Sequence, residues 1–93
     1  MRVVSERKPR EFAERFPTAK SPLRSWATAV KSSSWKNTAD LKRTFRTADF
    51  VADKTIFDPG GNKLRLIAFV HYRRRIVFVK HVLTHAEYDK DWK

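Results

Sequence analysis

The stretch DKTIFDPGGNKLRLIAFVHYRRRIVFVKHVL, from Asp53 to Leu83, decides the fold. Thr55-Ile56-Phe57 is β-branched and aromatic, and Asp58-Pro59-Gly60-Gly61-Asn62 follows it as a turn. Proline presets φ there, glycine reaches positive φ, and Asp and Asn side chains bond their own backbone. Two runs then follow, Lys63–Tyr72 and Ile76–Leu83, nearly continuous in β-branched and aromatic residues and joined through Arg73-Arg74-Arg75. Strands apolar on both faces belong at the centre of a sheet, covered on each side. Three strands joined by short turns predict an antiparallel meander.

Upstream of this stretch the pattern is helical. A short strand is expected at Arg2–Ser5, after which Ser5 caps a helix running to about Phe16. Pro9 is tolerated near its start, where amides lack partners anyway. Phe12, Ala13 and Phe16 form its apolar stripe, and Pro17 stops it. A second helix starts with Ser21 as N-cap and Pro22 at the first helical position. Leu23, Trp26, Ala27 and Val30 follow at i, i+3, i+4 and i+7, and Ser32-Ser33-Ser34 ends it. A short third helix is expected from Thr38 through Leu41 to Phe45, and the tail from Thr84 to Lys93 reads as a cap and a helical turn or two. The order β-α-α-(α)-β-β-β-α predicts a single α+β domain over residues 1–93, a small antiparallel sheet with its helices on one face.

The length of 93 residues allows one core and no more. An apolar fraction of 41% with 12 aromatic residues suffices to build it, which sets aside a disordered tail. Twenty-one Lys and Arg against ten Asp and Glu give a net charge of +11. A compact body with that excess repels itself, so the charge implies an anionic partner: nucleic acid first, an anionic membrane second, an acidic protein third. Cysteine is absent, which excludes a disulfide framework, a thiol nucleophile and a Cys-ligated zinc. No apolar run approaches the ~20 residues of a membrane span, and Met1–Glu6 turns polar too early for a signal peptide, so the expected location is the cytoplasm.

From Lys20 to Arg46 seven basic residues meet one acid, Asp40. Such a surface tracks a phosphate backbone, although most charge runs are simply solvated faces. Trp26 belongs to the core. Trp35, beside Lys36, either packs under its loop or stacks on a base. Arg73, Arg74 and Arg75 crowd one hairpin tip, more charge than solubility needs. If Asp58–Gly61 turn tightly, Lys54 lies opposite or diagonal to Arg65, a like-charge pairing that an anion between them would relieve. At the end of the chain His85 and Tyr88 stand one helical turn apart, a proton carrier beside a hydroxyl. These groups supply a base, an acid and cations for phosphodiester cleavage. His81 and His85 have i, i+4 spacing, but His81 falls in a strand pattern and no further ligand completes a zinc site. Gly60-Gly61 lies in a hairpin and not before a helix, so it is no phosphate loop.

These residues carry a resemblance. Asp53-Lys54, Phe57-Asp58, the run Gly60–Ala68, Lys80–Leu83 and Thr84-His85-Ala86-Glu87-Tyr88-Asp89 are similar to the HigB-type toxins. These are toxins of bacterial type II toxin–antitoxin modules, in the RelE-like group of small endoribonucleases. The GGN-x-x-R and TH-x-x-Y-D segments are the most specific parts, and the similarity extends over nearly the whole chain. The resemblance implies an mRNA interferase that needs no metal or other cofactor, cuts mRNA on the ribosome and leaves a 2′,3′-cyclic phosphate. It implies a HigA-type helix-turn-helix antitoxin as partner, with operator DNA bound only through the complex. It also implies Lys54, Arg65, His85 and Tyr88 as catalytic residues, with Asn62 and Lys63 near the edge of the site on the RNA; Arg73, Arg74, Arg75, Lys80 and Lys36 are expected on the RNA from their basic charge. A non-catalytic RNA- or ribosome-binding module with the same basic surface is the alternative, and an inhibitor of another target a third.

Overall fold

The computed structural model describes residues 1–61 and 64–91. Its elements are β1 (Arg2–Val4), α1 (Arg7–Arg15), a 3-10 turn at Pro17–Ala19, α2 (Lys20–Lys31), α3 (Thr38–Thr44), β2 (Asp49–Val51), β3 (Lys54–Phe57), β4 (Leu64–His71), β5 (Ile76–Thr84) and α4 (His85–Asp91). The strands form one sheet in the order β1-β5-β4-β3-β2. The meander β3-β4-β5 is antiparallel as expected; the unexpected β2 extends it antiparallel to β3, and β1 joins β5 in parallel, so the sheet is mixed. The helical segment after β1 delivers the chain to β2 at the opposite edge of the sheet, and β5 closes the sheet against β1.

The α+β class stands, with α1, α2 and α3 on one face of the sheet. Their residues Phe12, Leu23, Trp26, Val30 and Leu41 bury against Val3, Phe57, Leu66, Ala68, Val70, Val77 and Val79. Phe57 is the pivot: its ring meets Trp26 at 5.3 Å and Phe45 at 5.0 Å, both edge-on, the arrangement aromatic quadrupoles favour. Trp35 is buried, and its indole N–H donates to Thr44 Oγ1 at 3.0 Å, which sets aside a base-stacking role for that ring.

Several expected boundaries move. Ser5 does not cap α1: it sits at φ 69°, and Glu6 takes the N-cap position without a side-chain bond. Ser21 does not cap α2 either, because the Pro17–Ala19 turn runs straight into a helix that starts at Lys20 and keeps Pro22 inside its first turn. A first-turn proline forfeits no helical hydrogen bond, so the helix tolerates it. α3 gains a cap at Asn37, whose side chain accepts from the Asp40 amide at 3.0 Å.

The strands are not covered on both sides along their full length. Alternation puts Arg65, Ile67, Phe69 and His71 of β4 on the face away from the first three helices. Ile56 and Ile67 are buried on that face, but Phe69 and Phe78 are only half-buried and Lys80 and His81 are exposed. A bulge in β5 sets Lys80 as the extra residue, since Ile67 pairs with His81 and Ala68 with Val79.

Candidate active site

α4 turns the end of β5 back over the open face. Its start is a capping box: the Glu87 amide donates to Thr84 Oγ1 at 3.1 Å, and the Thr84 amide donates to Glu87 Oε1 at 2.9 Å. The box fixes the helix just where His85 and Tyr88 must project. The Thr84 amide holds the Glu87 carboxyl below its usual value, aided by the Thr84 hydroxyl and the charge of Arg15 and opposed by burial.

The result is a cleft of about 430 Å³ lined by Thr47, Asp49, Val51, Ile56, Asp58, Arg65, His85, Tyr88 and Asp89. It adjoins a second hollow of about 300 Å³ that shares Val51, Ile56 and Tyr88 and adds Lys54. His85 Nε2 lies 3.0 Å from Asp89 Oδ2. A carboxylate there accepts the Nε2 proton and steadies the ring, leaving Nδ1 to exchange protons. Arg65 Nη1 donates to the carbonyls of Leu64 at 3.0 Å and Gly61 at 3.3 Å, and its guanidinium carbon sits 5.8 Å from the Tyr88 ring centroid. Cation–π contact and backbone bonds thus set the guanidinium beside the phenol. A larger groove of about 700 Å³ between β1, α1 and α2 is lined by no histidine or tyrosine.

Arg65, His85 and Tyr88 therefore meet in one cleft, as the sequence reading expected. Lys54 shares the face but is neither opposite nor diagonal to Arg65. The pairs Thr55↔Ala68 and Phe57↔Leu66 set the register, so Lys54 falls beside Phe69 and Asp58 beside Arg65. Four residues of strand, about 13 Å, separate the two cations. The turn between β3 and β4 is longer than a tight hairpin, which shifts the pairing. Lys54 Nζ instead donates to Asp53 Oδ1 at 2.9 Å, and that bond holds the Asp53 carboxyl below its usual range.

Arg73, Arg74 and Arg75 are exposed at the far tip of the β4–β5 hairpin, about 26 Å along the strand from Arg65. Lys80 lies between, its Nζ 5.8 Å from the Phe78 ring centroid. Lys36 is set apart: it precedes α3 on the helical side of the sheet, with its amide bonded to Asp40. Asn62 and Lys63 lie outside the described residues.

Four lining or neighbouring residues are not among the sequence's candidate site residues. Asp89 closes the TH-x-x-Y-D segment four residues after His85, a spacing that signals a shared helix face, but it is not among the candidate site residues. Asp49 and Val51 come from β2, a strand of three exposed residues with no legible pattern. His81, whose spacing to His85 suggests only a metal ligand, pairs with Ile67, a residue that lines the adjoining hollow. Burial, then the charges of Lys8, Lys54 and Lys80, push its pKa down. Among the described residues no group of three or more His, Cys, Asp or Glu side chains is placed to hold a metal ion, and no helix is long and apolar enough to cross a membrane.

The chain also matches known proteins. Residues 19–91 match the HigB toxin family, described as the RelE-like toxic component of a toxin–antitoxin system. The mRNA interferase HigB of Escherichia coli O6:H1 is 30% identical over 93 residues, spanning 97% of this chain and 90% of its own length. The mRNA interferase toxin HigB of Escherichia coli K12 is 27% identical over 92 residues, with 96% and 88% covered. The HigB of Shigella flexneri matches to the same extent. With most of its length, the cleft-forming strands and α4 all inside the match, this chain belongs to the HigB toxin family, the RelE-like toxic components of toxin–antitoxin systems.

Proposed function

We propose that the chain is an mRNA interferase, an endoribonuclease that cuts mRNA on the ribosome by metal-independent transesterification. The observation that carries the reading is the single cleft in which His85, steadied by Asp89, faces Tyr88 and Arg65. In the reaction the 2′-hydroxyl of one nucleotide attacks the adjacent phosphorus and gives its proton to a base. The bond to the 5′-oxygen breaks, and that oxygen takes a proton from an acid. The products are a 2′,3′-cyclic phosphate and a 5′-hydroxyl. His85 serves as general acid or base, and Tyr88 orients it or the 2′-hydroxyl. Arg65 meets the charge that grows on the phosphate, and Lys54 enters from the adjoining hollow. A HigA-type antitoxin neutralises the toxin, and operator DNA is bound through that complex.

The test is to map mRNA 5′ ends in cells after a brief pulse of expression, wild type beside His85→Ala and Arg65→Ala. Cuts in phase with codons, seen with wild type and reduced at least ~10²-fold in either variant, are the expected result. Intact mRNA with growth still arrested by the wild type would overturn the nuclease reading in favour of a binding module.

A further inference from the structure

The open face of the sheet continues past the cleft, and among the described residues no helix covers it there. Phe69 and Phe78 are direct cross-strand partners on that face, with ring centroids 6.3 Å apart and planes at 43°. His71 stands edge-on to Phe69 at 6.4 Å, and the Lys80 ammonium lies 5.8 Å from the Phe78 ring. All three rings are half-buried. Alternation along β1, β4 and β5 places Arg2, Val4, Ile76, Phe78, Phe69 and His71 together, a surface without a carboxylate. Lys54 borders it on β3, its charge met by Asp53 at the turn, and the three exposed arginines 73–75 close it at the tip.

We infer that this aromatic patch is a stacking platform for single-stranded RNA, extending the cleft along β4. The inference rests on the proposed RNA-cleaving function and names where the flanking nucleotides lie. Half-exposed aromatic rings on a sheet, rimmed by cations, match the chemistry of unpaired bases joined by phosphates, because every base offers a π-face and every link an anion. A folded protein partner would equally bury the rings, but the surrounding cations without carboxylates favour a polyanion. Position supports the same occupant: Arg65, Phe69 and His71 lie on one face of β4, with buried Ile67 between the cleft and the rings, about 20 Å from the cleft to the far ring. Bases of the strand bound at Arg65 therefore rest on Phe69 and Phe78, while its phosphates meet Lys80 and the tip arginines.

The experiment measures binding of a fully 2′-O-methylated, mixed-sequence oligoribonucleotide, which lacks the attacking hydroxyl, to the purified chain by fluorescence anisotropy. Phe69→Leu/Phe78→Leu keeps apolar bulk but removes the rings, and is expected to weaken binding about tenfold or more with an unchanged melting profile. Phe78→Trp is expected to bind as wild type and to show oligonucleotide quenching of its emission beyond that of the wild type. Unchanged affinity in the leucine variant together with no added quenching in Phe78→Trp would overturn the platform. So would a leucine variant that keeps its RNA affinity but no longer binds the antitoxin, since the face would then belong to a protein. Binding of this inert strand is scored without cleavage, so failure here is separable from a failure of the nuclease reading, which the 5′-end mapping decides.

Discussion

Ala52 adopts a left-handed backbone, φ 54°, at the first position of the two-residue loop between β2 and β3. Hairpins of that length put glycine there, because a Cβ crowds the neighbouring carbonyl. The register Val51↔Lys54 closes the loop directly beside the Lys54 hollow, so the strain sits at the edge of the site. Replacing Ala52 by Gly relieves the crowding at some cost in unfolded-state entropy. The expected net gain is about 0.5–1 kcal/mol, read as a rise in melting temperature of about 2–8 °C for a domain of this size. A fall in melting temperature would show that the left-handed conformation carries no strain. Arg75 and Ser5 share the conformation, at φ 59° and 69°, but lie away from the cleft.

At the scale of elements, α4 is short, and its geometry depends on the Thr84–Glu87 box more than on propensity. Thr84→Ala leaves the Glu87 amide without its partner and is expected to cost about 1 kcal/mol. It should also lower cleavage, because His85 and Tyr88 lose their fixed origin. The box makes a pH signature as well. Glu87 titrates lower in the folded chain than its reference of 4.5, so its contribution is complete above that value and is lost as pH falls through the depressed one. Urea midpoints of the wild type should therefore drop more steeply below pH 4.5 than those of Glu87→Gln, which cannot titrate, and equal slopes would count against the box. The same element was among the most legible in the sequence, since Thr84 and Glu87 announce a start and His85 and Tyr88 share one turn. The long strands β4 and β5 and the stripe of α2 were legible for a similar reason: many residues repeat one signal. What escaped had few residues to speak for it. β2 is three exposed residues, and the caps expected at Ser5 and Ser21 were overridden by how the chain enters each helix. The distance between Lys54 and Arg65 depends on the length of the β3–β4 turn, which a dense turn signal does not specify.

At the scale of the molecule, a charge of +11 is carried on a body of 33 × 25 × 20 Å. Exposed ion pairs such as Arg7–Glu11, Lys31–Glu6 and Arg43–Asp40 contribute little individually, and they consume acids on the helical side. On the sheet side Lys54 is met by Asp53, while Arg73, Arg74, Arg75 and Lys80 are exposed toward an outside partner. If single-stranded RNA is that partner, each phosphate neutralised releases counterions and adds about 0.7 to the slope of log affinity against log salt. Changing Arg73, Arg74 and Arg75 together to Gln should then flatten the slope by about 2, with affinity at low salt falling most. Lys36→Gln, on the opposite side of the sheet, should leave the slope as it is. The arginine triple and the lysine variant thus ask which face the strand crosses. A slope that flattens with Lys36→Gln and not with the arginine triple would move the RNA to the helical layer, away from the cleft in which His85 and Arg65 meet.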